Sequence, residues 1–158
     1  MEAVLFIGIQ GSGKTTFYRE RLFDTHMRIS RDMLKTRNRE LLLVRACLAA
    51  RQAFVVDDTN ASKTTRADYI AAARAGGFRV VGYYFRTPLR TALARNRRRP
   101  RGQVIPVPGV LATFKRFQPP EWAEGFDELH VVEVSGENEV SVRPWTREEG
   151  DPPGLERE

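Results

Sequence analysis

Three absences bound this sequence of 158 residues before any motif is read. There is a single cysteine, Cys47, so no intrachain disulfide forms and no disulfide-linked partner is expected. It lies in LLLVRACLAA, where a thiol behaves as a small buried hydrophobe rather than as a nucleophile. No apolar run approaches the roughly 20 residues of a membrane-spanning helix. The N-terminal run from Ala3 to Ile9 is short and leads straight into glycines, unlike a secretory signal. A cytoplasmic protein with no membrane partner is the expectation. His26 and His130 are alone and far apart, with no metal-ligand spacing.

The third absence is of one sign of charge. From Tyr69 to Pro120, 52 residues, there is no Asp or Glu, while eleven Lys and Arg fall in that stretch. A block of like charge repels itself and suits a polyanionic ligand, although a solvated surface also accommodates it. The length suits one domain with its own core. Residues 1–146 are expected to form it, with a lid at about 95–109 and a disordered, charged tail at 147–158.

What is present is an alternation. AVLFIG, HMRIS, AFVVDD and FRVVGYYF read as strands. KTTFYRERLF, one long helix from Asp32 through RDMLKTRNRELLLVRACLAARQ, TRADYIAAARAGG and PLRTALARNRRR read as the helices between and after them. PRGQVIPVPG reads as a mobile loop, GVLATFKRF as a short helix, and ELHVVEV and VSVRPW as two further strands. The alternation points to a three-layer α/β/α fold with a mainly parallel sheet of about five strands. Ligands of such sheets bind at the carboxyl ends of the strands. The segments there are GIQGSGKT, SRDML, DDTN and RTPLR, expected to converge on one crevice.

Gly8-x-x-x-x-Gly13-Lys14-Thr15 is a complete phosphate-binding loop between a strand and a helix. Its glycines let backbone N–H groups turn inward around phosphate oxygens, and the helix that follows adds its positive end. Gly8, Gly11, Ser12, Gly13, Lys14, Thr15 and Thr16 are therefore the expected ATP contacts. Lys14 would bridge the β- and γ-phosphates, and the Thr15 hydroxyl would ligate Mg²⁺. Asp32 stands just past the second strand, where a carboxylate either accepts a proton from an attacking hydroxyl or caps the helix. VVDDTN ends a buried strand with two acids, and an acid there holds Mg²⁺ or its waters. The Arg-rich run at 95–101 suits a lid that neutralises a transferring phosphoryl group, and equally a nucleic-acid contact.

GIQGSGKTTF, SRD, VVDDTN with R-x-D-Y-I after it, R-N-x-x-R and FQPPEWAEGFDEL occur here in the order seen in polynucleotide 5′-kinases. The chain resembles that family over roughly residues 3 to 134. The resemblance implies transfer of the γ-phosphoryl of ATP, with Mg²⁺, to the 5′-hydroxyl end of RNA or DNA. It implies Asp32 as general base, Lys14 as a catalytic phosphate ligand, and Arg99, with Arg95, as lid arginines on the phosphates of ATP. Lys35, Asp58 and Asn60 are the implied acceptor contacts, and Thr15 and Asp57 the implied metal ligands, partly through water. Two departures stand out. Lys35 replaces the Arg that engages the acceptor's phosphate in relatives, losing the bidentate fork. Both positions of DDTN are acidic, so the motif leaves open whether Asp57 or Asp58 faces the site. Two other functions fit the same residues: a kinase of a small hydroxyl compound (nucleoside, sugar or antibiotic), and an ATP-binding regulatory protein without an acceptor.

Overall fold

The protein is described here from a computed structural model, in which residues 1–135 and 139–145 are described. The expected tail at 147–158 lies outside the described residues. The elements in chain order are β1 (Glu2–Ile7), α1 (Lys14–Arg21), β2 (Met27–Ile29), α2 (Arg31–Leu34), α3 (Arg37–Ala50) and β3 (Phe54–Val56). They continue with α4 (Lys63–Ala75), β4 (Arg79–Phe85), α5 (Leu89–Arg97), α6 (Val107–Arg116), β5 (Glu128–Val134) and β6 (Val140–Pro144).

The sheet order is β2-β3-β1-β4-β5-β6. The first five strands run parallel, and β6 closes the edge antiparallel to β5. β1 lies between β3 and β4, with Val4 opposite Val55 and Val81. A strand covered on both faces needs an unbroken apolar run, and Ala3 to Ile7 supply it. Side chains alternate, so Ala3, Leu5 and Ile7 meet Val44 of α3, Ile70 of α4 and Phe114 of α6. Val4 and Phe6 face Phe17 and Tyr18 of α1. The result is the three-layer α/β fold expected, with six strands rather than about five. Among the described residues no helix is long and apolar enough to cross a membrane.

Two local expectations are corrected. The long helix from Asp32 is two helices, because Lys35 takes a positive φ of 71° and Thr36 starts afresh, its hydroxyl accepting from Arg39 N at 3.2 Å. The loop expected to run to Gly109 ends sooner. α6 begins at Val107, with Pro108 in its first turn, where a missing N–H leaves no helix bond unmade.

The motifs R-x-D-Y-I and FQPPEWAEGF meet in space. Arg66, fully buried on α4, donates Nε and Nη2 to the two carboxylate oxygens of Glu124 at 2.8 and 3.0 Å. Its Nη1 donates to the carbonyls of Asn60 and Gln118 at 2.7 and 2.9 Å. One guanidinium thereby ties α4, the end of the β3 loop and the segment before β5 together. Arg66 and Glu124 of these motifs thus serve as frame, whereas Asp68 of R-x-D-Y-I reaches the cavity described below.

Candidate active site

A cavity of about 1000 Å³ opens at the carboxyl ends of β1, β2 and β3. Three of the four converging segments line it: the phosphate loop, Arg31 and Asp32, and Asp57 to Asn60. The fourth does not. Thr87 is buried under the loop with its hydroxyl 3.5 Å from Ser12 O, and Arg86 pairs with Glu133 on the other side of the sheet edge. The end of α5 and the segment after it take its place, bringing Arg95, Arg98, Arg99 and Ile105 to the cavity wall.

The loop's shape follows from its glycines. Gly11 and Gly13 have φ of 77° and 94°, a region that L side chains rarely adopt. A Cβ on Gly11 would also collide with the carbonyl oxygen of Ala92 on α5. Gly8 lies beneath the loop rather than on the cavity surface, where a Cβ would come within 2.8 Å of Ser12 Oγ. Lys14 donates from Nζ to Gly8 O at 2.9 Å and Ile9 O at 2.8 Å. Burial pushes its ammonium down to about 8, and Arg99 adds to that, while Asp57, Asp58 and Asp32 pull the other way. An ammonium held so close to neutrality on the loop's own carbonyls is set to gain from a phosphate chain.

Thr15 Oγ1 donates to Asp57 Oδ2 at 3.3 Å, and Arg28 Nε donates to the same oxygen at 2.7 Å. Asp58 turns the other way, its Oδ1 accepting from Arg31 N at 2.8 Å beside buried Glu40. Burial, then a hydrogen bond with Glu40, raises the Asp58 carboxyl to about 8, against the pull of Arg31. Of the two acids, Asp57 is thus the one beside the loop's hydroxyl. A hydroxyl and a carboxylate are the oxygen donors Mg²⁺ takes when it also keeps waters and phosphate oxygens. Among the described residues no three His, Cys, Asp or Glu side chains cluster as a closed metal cage. The pair fits a phosphate-borne ion.

Asp32 projects from the α2 turn with its side chain 74% exposed, and Arg99 Nη2 approaches its Oδ2 at 3.9 Å across the cavity. Arg95 is anchored by Nη2 to the carbonyls of Val134 and Ser135 at 3.1 and 3.4 Å. Its buried Nη1 has no hydrogen-bond partner among the described residues and lies close to Gly13. Asn60 lines the cavity, but its amide donates to Phe6 O at 2.7 Å, bolting the loop to β1. Lys35 is exposed and stands outside the lining, whereas Arg31 and Arg37 are in it. Lys35, with a positive φ of 71°, is part of the link between α2 and α3. Asn96 of R-N-x-x-R carries no site signal in the sequence, yet its buried side chain accepts from Ile105 N at 3.0 Å and donates to Ile105 O at 2.6 Å. It closes the neck of the Arg-rich segment.

Arg37 and Arg116 complete the far wall with Thr64, Thr65 and Asp68. Of the acid-free stretch, Arg74, Arg79 and Arg86 pair with acids of the later strands and their approach: Asp127, Glu128 and Glu133. Arg98 and Arg116 have no ion-pair partner among the described residues. Exposed Arg97, Arg101 and Lys115 have none among the described residues either and lie outside the lining, so the unpaired positive charge is shared between the cavity and the surface around it.

The model of the family described as an AAA domain matches residues 4–120. Several solved structures share the fold. The AvrRxo1-ORF1:-ORF2 crystal structure with ATP matches at a TM-score of 0.65 and 14% identity, over 89% of this chain and 57% of that one. Kti12 of Chaetomium thermophilum in complex with ADP-AlF3 matches at 0.61 and 17%, over 86% and 92%. A gluconokinase from Sinorhizobium meliloti 1021 matches at 0.59 and 16%, over 85% and 83%. The chain spans 57% of the length of the first. At these identities the likeness establishes the P-loop kinase fold. It does not single out the polynucleotide 5′-kinases.

Proposed function

We propose a function for this chain from the premise that it belongs to the AAA domain family matched over residues 4–120. The chain is an ATP-dependent phosphotransferase that moves the γ-phosphoryl group to a hydroxyl of a small acceptor. The observation that carries this reading is convergence: Lys14, Thr15, Asp57, Asp32 and Arg99 all line one cavity. Its volume of about 1000 Å³ is at the upper end for small-ligand pockets, enough for a nucleotide's phosphates and a compact acceptor. The fold shared with a gluconokinase is consistent with such an acceptor.

The phosphate chain lies along the loop, against the N–H groups at the start of α1 and the ammonium of Lys14. Thr15 and Asp57 would hold Mg²⁺, which would neutralise charge on the phosphates when bound. Asp32 takes the proton from the acceptor hydroxyl as the new O–P bond forms and the bond to the β-phosphate oxygen breaks, leaving ADP. Arg99 moves from Asp32 to the transferring group, where it offsets the developing charge. Arg95 supports that wall from below.

Polynucleotide 5′-ends form a second reading, favoured by Arg98 and Arg116 at the cavity, which have no ion-pair partner among the described residues. One experiment separates the two. The protein is incubated with γ-labelled ATP and Mg²⁺ and, separately, with gluconate, other sugars, nucleosides and a 5′-OH oligonucleotide. Labelled small product supports the first reading. Labelled oligonucleotide, formed at a rate that falls steeply with salt, supports the second. ATP hydrolysis with no labelled acceptor in any arm, unchanged by Asp32→Ala, contradicts both and leaves an ATP-binding regulatory protein.

A further inference from the structure

One buried acid has no part in the reaction as written. Glu40 lies on α3 with no solvent exposure, and its neighbours Leu41, Leu43 and Val44 pack into the core. A carboxylate out of water is costly, and an apolar side chain of similar volume would stabilise α3 at least as well. Its surroundings show what holds it there. Arg31 Nε donates to its Oε1 at 2.6 Å, while its Oε2 meets no donor among the described residues. The Asp58 carboxyl lies within hydrogen-bonding reach of Glu40 and also accepts from Arg31 N. Tyr69, with Arg37 stacked 5.2 Å over its ring, adds its phenol to the same cluster.

Arg31 is thus gripped twice, through its backbone by Asp58 and through its side chain by Glu40. It is the first residue of α2, and Asp32 is the second. None of the four residues of α2 is buried, and Met33 is 63% exposed. Leu34 alone packs partly against the core. Beyond it the chain bends away at Lys35. The turn therefore takes its direction from polar bonds: Ser30 Oγ on Asp32 N, Asp58 on Arg31 N, and Glu40 on the Arg31 guanidinium.

We propose that Glu40 is a positioning residue that, through Arg31 and together with Asp58, aims Asp32 at the reacting hydroxyl. The assignment rests on Asp32 being the base. It gives a reason for a charged clamp where an apolar residue would pack. The turn has to keep its direction when Arg99 leaves Asp32 for the phosphates, and although the Arg31 side chain is 46% exposed, the carboxylate that holds it is fully buried and fixed on α3.

The test uses the full chain with ATP and Mg²⁺ and water as the acceptor, so it needs no identified substrate. Glu40→Met keeps the volume and removes the hydrogen bond to Arg31 and the polar contact with Asp58. It is expected to melt no lower than wild type, to bind ATP unchanged, and to lose at least about tenfold in kcat, short of the range for deleting a general base. Amides of α2 are expected to exchange faster. Glu40→Gln can accept from Arg31 and donate to Asp58, and is expected to restore most of the rate and the slow exchange. A rate that only follows the melting temperature, a loss confined to ATP affinity, or equal losses in Met and Gln variants overturns the proposal. Should Glu40→Met not fold, Arg31→Met takes its place, with the same α2 exchange and kcat loss expected and wild-type values counting against it. If Asp32→Ala hydrolyses ATP at the wild-type rate, the base assignment itself falls and the aim given to Glu40 falls with it. Slow α2 exchange lost in Glu40→Met but kept in Glu40→Gln would still distinguish that failure from a missing clamp.

Discussion

Replacing Arg66 by alanine separates the frame from the chemistry. The side chain is wholly buried and makes five hydrogen bonds, two to Glu124 and three to the carbonyls of Asn60, Gln118 and Pro119. Removing it leaves the Glu124 carboxylate, 10% exposed, without its counter-charge. Breaking a buried ion pair from one side costs about 3–5 kcal/mol. The unmet carbonyls and the vacated volume act in the same direction, so a loss of about 4 kcal/mol or more is expected. For a domain of this size, each 1 kcal/mol corresponds to about 2–4 °C, so the midpoint should fall by roughly 8–16 °C. Urea unfolding followed by far-UV circular dichroism measures it. The double variant Arg66→Met with Glu124→Leu should recover much of the loss, because no charge is then stranded. A single-variant cost under about 1 kcal/mol, or a double variant as damaged as the two singles added, would refute the role given to this guanidinium.

Three further outcomes are expected. Gly11→Ala should abolish measurable ATP binding in equilibrium dialysis while the protein still folds, because the added Cβ strains a φ of 77° and strikes α5. Lys14, pushed down to about 8 by burial, binds its proton less tightly folded than unfolded, so the ligand-free protein should gain stability as pH rises from about 8. Lys14→Met should remove that slope in thermal melts and be the more stable protein at pH 7, yet fail to bind ATP. Hydrogen bonding to His26 lowers the Glu2 carboxyl, and hydrogen bonding to Arg79 lowers that of Glu128. Both groups stabilise the fold above the ordinary carboxylate range, and that contribution is lost as pH falls through their lowered values. Glu128→Gln should therefore flatten the acid side of a pH–stability curve.

Signals carried by backbone geometry and by contiguous residue type could be read without coordinates. The phosphate loop, the parallel order of the main strands and the placing of Asp32 and DDTN at strand ends belong to that kind. Signals that depend on which distant residues meet could not. Nothing local marks Glu40 as buried, because its partners Arg31 and Asp58 come from two other elements. Nothing local assigns Arg86 to Glu133, so the acid-free stretch looked more uniformly unpaired than it is. The helix break has only a weak local signal: Thr36 is a favoured N-cap residue, but Glu40 stands four residues on rather than the three of a capping box, and helix-favouring residues lie on both sides. The motif implies an acceptor contact at Lys35, whereas the side chain is exposed and outside the cavity lining, on a backbone whose positive φ is atypical for a lysine.

The most direct measurement compares Asp32→Ala with wild type in single-turnover transfer of the γ-phosphoryl group, alongside ATP affinity measured by dialysis. A general base that touches only the acceptor's proton should, when removed, lower the transfer rate by about 10²- to 10⁴-fold and leave ATP affinity within experimental error. An unchanged transfer rate, or a loss that appears wholly in ATP binding, would contradict Asp32 as the base and the phosphotransferase mechanism built on it.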